Sequence, residues 1–297
     1  MSAPWAGEVW FHWIVAHSGG PWIVRRTLQR TRATILVYHD PEPETIEAHL
    51  AFLQSRYTIV PLHDIVAWLR RESDSIPPRA LAITLDDGWA GNYRLEGVFR
   101  AHGVVPTLFV CTQIIGTSRR FWWRAVPPAV APELKRLDDR ARLERLAEVG
   151  FREEDETDDR PSALTANEVQ AMQEWADVQS HTRFHPVLPR CDESRAWCEI
   201  RGSLEDLRGR VDTEVDALAY PNGDWTPREV EMARLAGYRC AVTIDEGLVR
   251  AGDSPYTLRR VGVTDAASLN ELAARASCIH VAVRDVLRFL RLLPRVR

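Results

Sequence analysis

Four short polar clusters in this 297-residue chain combine residue types that do chemistry. The first is TLDDG at 84–88. Two adjacent carboxylates at a strand end are costly to bury without a cation or proton between them. At a turn they diverge, leaving one for a metal and its neighbour free as a base, and Gly88 permits the sharp exit. The plainer reading is a turn followed by a helix N-cap. The second cluster is SHTRFHP at 180–186. His181 and His185 are four apart, so one helical turn would put both imidazoles on one side. With one aspartate they make the three-ligand set of a catalytic zinc site that keeps a position for water. The third is AYPNGDW at 219–225. Pro-Asn-Gly is strong turn chemistry. A strand-end turn of this kind aims a backbone N–H into a pocket. Pro221 has none, so Asn222 would be the donor. The fourth, LVYHD at 36–40, puts His39 at the end of the first strand. A lone histidine there is more often structural, but it shares its predicted face with the other three clusters.

Each cluster directly follows a predicted strand. The β-branched, apolar run 34–38 is a buried strand, and 57–60, 80–85, 107–111, 175–179, 217–220, 239–243 and 257–263 are the others. Helical patterns occupy 45–54, 63–71 and 89–102. Strands separated by such helices argue for a parallel sheet, and seven or eight units suit a barrel better than an open sheet. Residues 112–165 break the rhythm with RRFWWRAVPP, a charged helical stretch at 132–149 and an acidic run at 153–159. This is read as a helical insertion in one βα loop. Such loops line the catalytic face of a barrel. The acidic run is expected to be a solvated turn.

The 42 acidic and 38 basic residues leave a net charge of -4, which makes no electrostatic case for a nucleic-acid partner. A 45% apolar content excludes a disordered, collagen-like or disulfide-stapled chain. Lys135 is the only lysine, and a GC-rich genome is the plain explanation. Five cysteines without C-x-x-C spacing read as reduced, mostly buried thiols. No signal-peptide pattern and no run of roughly 18 apolar residues is seen, so a cytoplasmic location is expected. The ends differ from the middle. Trp5, Trp10, Trp13 and Trp22 precede Arg25, Arg26, Arg30 and Arg32, and Arg284, Arg288, Arg291 and Arg295 form the basic face of a C-terminal amphipathic helix. The functional reading is peripheral contact with the inner membrane surface; the alternative is helices packed on the barrel with a solvated arginine face. The expected organisation is an N-terminal helical extension (1–32), a barrel (33–264) with its insertion at about 112–165, and C-terminal amphipathic helices (265–297).

ITLDDGWAGNY, SHTRFHPVLPR and AYPNGDW, in this order and spacing, resemble the polysaccharide deacetylases of the NodB-homology type, carbohydrate esterase family 4. The likeness runs from about 34 to 263, with FWW at 121–123 and LRRVGV at 258–263. It implies an α/β fold, a deformed (β/α)₇ barrel, and metal-dependent removal of N-acetyl groups from a sugar. It implies that Asp87, His181 and His185 hold a divalent metal, commonly zinc, and that Asp86 is the general base. The chemistry agrees. A divalent metal lowers the pKa of water and polarises a carbonyl, a carboxylate takes the proton, and an N–H, here that of Asn222, holds the oxyanion. An acid must then protonate the leaving amine.

Three departures qualify the likeness. The family's third motif is Arg-x-Pro-aromatic, but Ala219 and Asn222 stand at the arginine and aromatic positions. Arg260 is expected to supply the guanidinium, with Arg259 pointing away by strand alternation. The family's late Leu-x-His motif is absent after 263, and His280 in the tail looks unsuitable. LVYH at the front has the same form, as in members with a circularly permuted barrel, which makes His39 the candidate general acid. The usual groove tryptophan has no equivalent; Trp89, Trp122 or Trp123 would line a sugar site or else pack in the core. The expected substrate is an N-acetylated polysaccharide or lipid-linked saccharide. An imide or ureide C–N hydrolase and an inactive carbohydrate-binding or scaffolding barrel stay open as alternatives.

Overall fold

The protein is described from a computed structural model that covers residues 6–157, 161–211 and 214–281. Trp5, Asp158, Asp159 and the C-terminal arginines at 284, 288, 291 and 295 lie outside the described residues.

Strands β1 (Arg32–Tyr38), β2 (Thr58–Ile59), β3 (Ala80–Leu85), β4 (Thr107–Val110), β5 (Asp177–Ser180), β6 (Ala217–Ala219), β7 (Cys240–Val242), β8 (Val249–Arg250) and β9 (Val261–Gly262) make one sheet. Parallel pairing runs β7-β6-β5-β4-β3-β1. β9 lies parallel to β1, and Leu258 just before it bridges Val242 of β7 in parallel. The ring of seven parallel strands therefore closes into a barrel, as the strand–helix alternation suggests, and it is the deformed (β/α)₇ barrel that the resemblance implies. β2 pairs with the start of β3, and β8 pairs antiparallel with the start of β1. β8 has no counterpart in the sequence-based reading. The expected strand 257–263 contributes only Leu258 and β9 to the ladder.

Alternation along the strands sorts the core into two layers. Ala33, Ile35, Ala80, Ala82, Phe109, Ala217, Ala219, Val242 and Leu258 form a lumen cluster with Leu62, Ile65 and Val66 of the helix Leu62–Leu69. Five of those strand residues are alanine, which suits a narrow barrel interior. Their neighbours Leu36, Leu81, Ile83, Leu85, Leu108, Val110 and Leu218 pack outward against the helices. Truncating one of these buried leucines to alanine costs about 2–5 kcal/mol.

The helices are α1 (Ala6–His17), α2 (Gly20–Arg26), α3 (Pro43–Gln54), α4 (Leu62–Leu69), α5 (Glu96–His102), α6 (Ala131–Leu134), α7 (Asp139–Glu148), α8 (Ala166–Met172), α9 (Glu193–Arg208), α10 (Pro227–Ala236) and α11 (Leu269–Ala276). α1 packs on α11. The expected helix at 89–102 is a 3₁₀ segment, Ala90–Leu95, followed by α5. The expected helix at 132–149 is two. Asp138 caps α7, its side chain accepting from Ala141 N at 3.0 Å, and an aspartate favours that role over a helix interior. Trp122, Leu134, Leu146 and Phe151 give the insertion a small core of its own.

The acidic run is not wholly solvated. The Glu153 side chain is only 8% exposed and is bonded by Arg195, with Arg142 3.6 Å away. Burial pushes its carboxyl up to about 7 against the pull of both guanidiniums. All five cysteines are free and only Cys198 is exposed. Among the described residues no helix is long and apolar enough to cross a membrane.

Candidate active site

The alternation that fills the lumen also delivers the polar residues. Leu85 packs outward, so the next residue, Asp86, turns inward. Asp87 and Gly88 then take left-handed backbone, with φ of 76° and 79°. Aspartate and glycine are among the residues that enter this region most readily. The reversal separates the two carboxylates. Asp87 Oδ2 accepts a 2.9 Å hydrogen bond from Trp89 Nε1, and its Oδ1 faces the histidines.

His181 follows the inward Gln179 of β5 by the same period. Its Nδ1–H donates to the Ala219 carbonyl at 2.8 Å, which leaves Nε2 3.4 Å from Asp87 Oδ1. His185 Nε2 is 3.5 Å from the same oxygen. The helical turn expected between the histidines is not there. Thr182 and His185 have φ of 66° and 57°, which no α-helix accommodates. The loop is held instead by the buried Glu199 carboxylate, which accepts from Arg183 N and Phe184 N at 2.8 and 2.9 Å. Thr182 Oγ1 also accepts from His185 N at 3.2 Å. The histidines still converge, but by side-chain-to-backbone bonding rather than helical pitch.

The ligand atoms of Asp87, His181 and His185 all lie within 4.8 Å of one another, and all three residues are buried. One carboxylate oxygen and two imidazole nitrogens suit a divalent metal such as zinc with open positions. The Ala219 carbonyl fixes the His181 tautomer, so Nε2 turns a lone pair toward a carboxylate oxygen. Two lone pairs facing each other at 3.4 Å require a proton or a cation between them. His185 Nδ1 is buried without a hydrogen-bond partner among the described residues, so that ring is not fully satisfied by protein groups.

The electrostatics point the same way. Burial would raise the Asp87 carboxyl, yet the His181 hydrogen bond and the charges of His185 and His39 hold it well below the usual carboxylate range. His185 is pushed down to about 3, by burial first and then by His181. His181 is raised against its own burial by Asp86 and Asp87. Asp87 ionised and His185 neutral are in the states that ligate metals, whereas the raised His181 carries a proton that a bound cation would displace.

Arg260 is fully buried, one residue before β9, while Arg259 is exposed. Arg260 Nη1 and Nη2 donate to Asp86 Oδ1 and Oδ2, both at 2.7 Å. Nε donates to Thr243 O at 2.8 Å, and Nη1 also reaches Thr84 Oγ1 at 3.1 Å. Burial alone would raise Asp86, but Arg260 and then His181 hold it below its ordinary value. Asn222 sits in left-handed backbone, φ 57°, at the cavity edge. His39 is exposed at the end of β1. Its N–H donates to Asp265 Oδ1 at 3.0 Å, and its carbonyl accepts from Asn92 Nδ2 at 2.7 Å.

All of these except Arg260 line one cavity of about 830 Å³. Trp89 and Trp123 line it too, and the Trp123 ring lies 4.5 Å from that of His185. Trp122 does not. It is buried, and its Nε1 donates to His185 O at 3.0 Å, propping the ligand loop. The same cavity takes Asp40, Asp265, Arg124, Lys135 and Ile244, none of which the motif reading selected as site residues. Asp265 and Ile244 carry no local signal. Asp40 follows His39 directly, and Lys135 stands out only by being unique in composition.

The profile of the family described as Polysaccharide deacetylase matches residues 73–241. No curated protein sequence matches the chain. Solved structures do. The Streptococcus pyogenes deacetylase PplD, in complex with acetate, superposes with a TM-score of 0.63 at 17% identity, over 83% of this chain and 99% of that one. IcaB from Ammonifex degensii gives 0.62 at 19% identity, over 84% and 98%. The putative polysaccharide deacetylase BA0330 from Bacillus anthracis gives 0.59 at 17%, over 82% and 69%. The profile spans more than half of the chain and includes Asp86, Asp87, both site histidines and Asn222, so the chain belongs to the polysaccharide deacetylase family.

Proposed function

We propose that the protein is a metal-dependent hydrolase that removes N-acetyl groups from an N-acetylated saccharide, either a polysaccharide or a lipid-linked precursor. One observation carries the reading: Asp87, His181 and His185 converge beside a second carboxylate, Asp86, which is held by a guanidinium and not by the same set of donors. When bound on those three residues, a divalent ion such as zinc supplies a Lewis acid that acidifies water and polarises the acetyl carbonyl.

Asp86 then serves as the base. Arg260 keeps it ionised and fixes its plane, and each carboxylate oxygen retains a further lone pair for the proton of the attacking water. The Asn222 N–H stabilises the oxyanion as it forms. His39, on the rim of the same cavity, donates a proton to the amine nitrogen as the C–N bond breaks, so acetate and a free amino sugar leave. Trp89 and Trp123 offer flat apolar faces to a pyranose ring. His39 at the end of the first strand takes the place of the missing late histidine, which is the arrangement of a circularly permuted barrel.

We further propose a cytoplasmic location with a peripheral contact at the inner, anionic membrane surface. Trp10, Phe11, Trp13, Ile14, Trp22 and Ile23 of α1 and α2 are all exposed, Trp10 by 65%. Indole rings favour the bilayer interface. Arg25, Arg26, Arg30 and Arg32 follow, and Glu8 is the only acid before Asp40.

Acetate release from N-acetyl chito-oligosaccharides by the zinc-loaded protein tests the activity. No release by wild type, or equal release by D86N, would remove the reading.

A further inference from the structure

The cavity holds a cation that the hydrolytic chemistry does not use. Lys135 directly follows the short helix α6, whose last residue, Leu134, anchors in the core of the insertion. Lys135 itself is half-buried and lines the cavity that contains Asp87, His181 and His185. Among the described residues no carboxylate lies within 4.0 Å of it. Nor does any lie so near Arg124, the second cation of the same cavity, whose guanidinium sits 5.7 Å from the Trp89 ring. Three of the cavity's four carboxylates are otherwise engaged, and the fourth, Asp40, is drawn to Arg94 rather than to Lys135. Asp86 is paired with Arg260, Asp87 belongs to the ligand set, and Asp265 accepts from the His39 backbone.

A partly desolvated ammonium with no carboxylate in contact is unfavourable until an anion arrives. In a chain where every other basic side chain except histidine is arginine, the one lysine stands at this position. Lysine offers a compact charge on a flexible four-carbon stem, suited to a single-point contact rather than to the planar fork that Arg260 makes. Burial lowers the Lys135 amine against the longer-range pull of Asp224 and Asp87, in keeping with a site drier than the surface.

We propose that Lys135 is a specificity residue that binds an acidic group, carboxylate or phosphate, on the saccharide whose acetyl group is cleaved, so that the substrate is an anionic saccharide. Arg124 adds a second positive charge to the same subsite. This rests on the deacetylase reading above and narrows its substrate class.

The single lysine makes a direct test available. Reductive methylation with ¹³C-formaldehyde labels Lys135 and the terminal amine as dimethylamines and keeps their charge. The K135R variant lacks the ε-amine signal and so assigns it. The zinc-loaded protein is titrated with a neutral N-acetyl chito-oligosaccharide, a uronate-containing N-acetylated oligosaccharide and N-acetylglucosamine 1-phosphate. The expected result is that an acidic ligand moves the Lys135 signal and binds at least tenfold more tightly than the neutral one, with the gap collapsing in K135M. The acidic ligand with the larger effect identifies carboxylate or phosphate. Neutral and acidic ligands binding within twofold of each other, with the signal unmoved, would overturn the proposal while acetate release from the neutral sugar left the deacetylase reading standing. No binding and no acetate release from any of the three would overturn both.

Discussion

Arg260 and Asp86 stand 174 residues apart in the chain and share two parallel 2.7 Å hydrogen bonds in the barrel interior. The arginine has no solvent exposure, so the pair is a buried one whose geometry is fixed on both sides. Removing one partner of such a pair strands the other charge, at about 3–5 kcal/mol. R260A is therefore expected to lower both Tm and turnover, with kcat falling on the order of 100-fold as the base loses its orientation. R260K should fall between, since it restores charge but not the fork. Turnover of R260A within twofold of wild type would show that Asp86 does not depend on this partner.

Metal retention separates the ligand set from the proton-transfer groups. D87N, H181A and H185A are expected to lose stoichiometric zinc by elemental analysis, and chelation should lower the Tm of wild type, because binding to the native state alone stabilises it. H39A and D86N should keep their zinc and lose turnover by about 10²–10⁴-fold. Zinc loss in H39A would assign it as a ligand instead.

Gly223 next to Asn222 has φ 71°, and a Cβ placed there would lie 2.2 Å from Ile244 Cγ1 and 2.5 Å from the Ile244 backbone nitrogen. Gly237, φ 102°, has nothing within 4 Å of such a Cβ. G237A should cost about 1–2 kcal/mol for left-handed backbone alone. G223A should cost clearly more, about 3 kcal/mol, because backbone must also move. Equal losses in chemical denaturation would mean that the Asn222 turn is looser than its contacts imply.

His49 is buried between two groups that demand its neutral form. Its Nε2–H donates to Ala267 O at 2.9 Å, and its Nδ1 accepts from the Tyr38 hydroxyl at 3.1 Å. Burial lowers its pKa from 6.5. The unfolded chain then binds the proton first, so the stabilisation is complete above about 6.5 and is lost as pH falls through that value and below. In H49Q the acid limb of the stability curve should flatten, by at most about 1.4 kcal/mol per pH unit. An unchanged slope would show that another group sets it.

The exposed aromatic surface of α1 and α2 makes a prediction of its own. Flotation with vesicles containing anionic lipid should carry wild type upward and leave a W10S/W13S/W22S variant behind, with binding weakened by salt through the arginines. Equal recovery of both proteins at low salt would exclude this face as the contact.

The inward-facing register of the site could be read from residues alone. Strand alternation follows from the two-residue period of extended backbone, a local property, and it sets Asp86 inside Leu85, His181 beyond Gln179, and Arg260 rather than Arg259 toward the lumen. Asp-Asp-Gly likewise announces a left-handed exit, because few residues enter that region easily. The loop between His181 and His185 is another matter. Four-residue spacing suggested helical pitch, but Glu199, on a helix further along the chain, bends that backbone by accepting its N–H groups. Nothing in SHTRFHP reports such a partner. Lys135, Asp265 and Ile244 reach the cavity only because the insertion packs on its own small core and because the barrel closes through Leu258 and β9. Short-range periodicity is written into consecutive residues. Convergence of segments more than a hundred residues apart depends on burial and hydrogen bonding that exist only once the ring has closed.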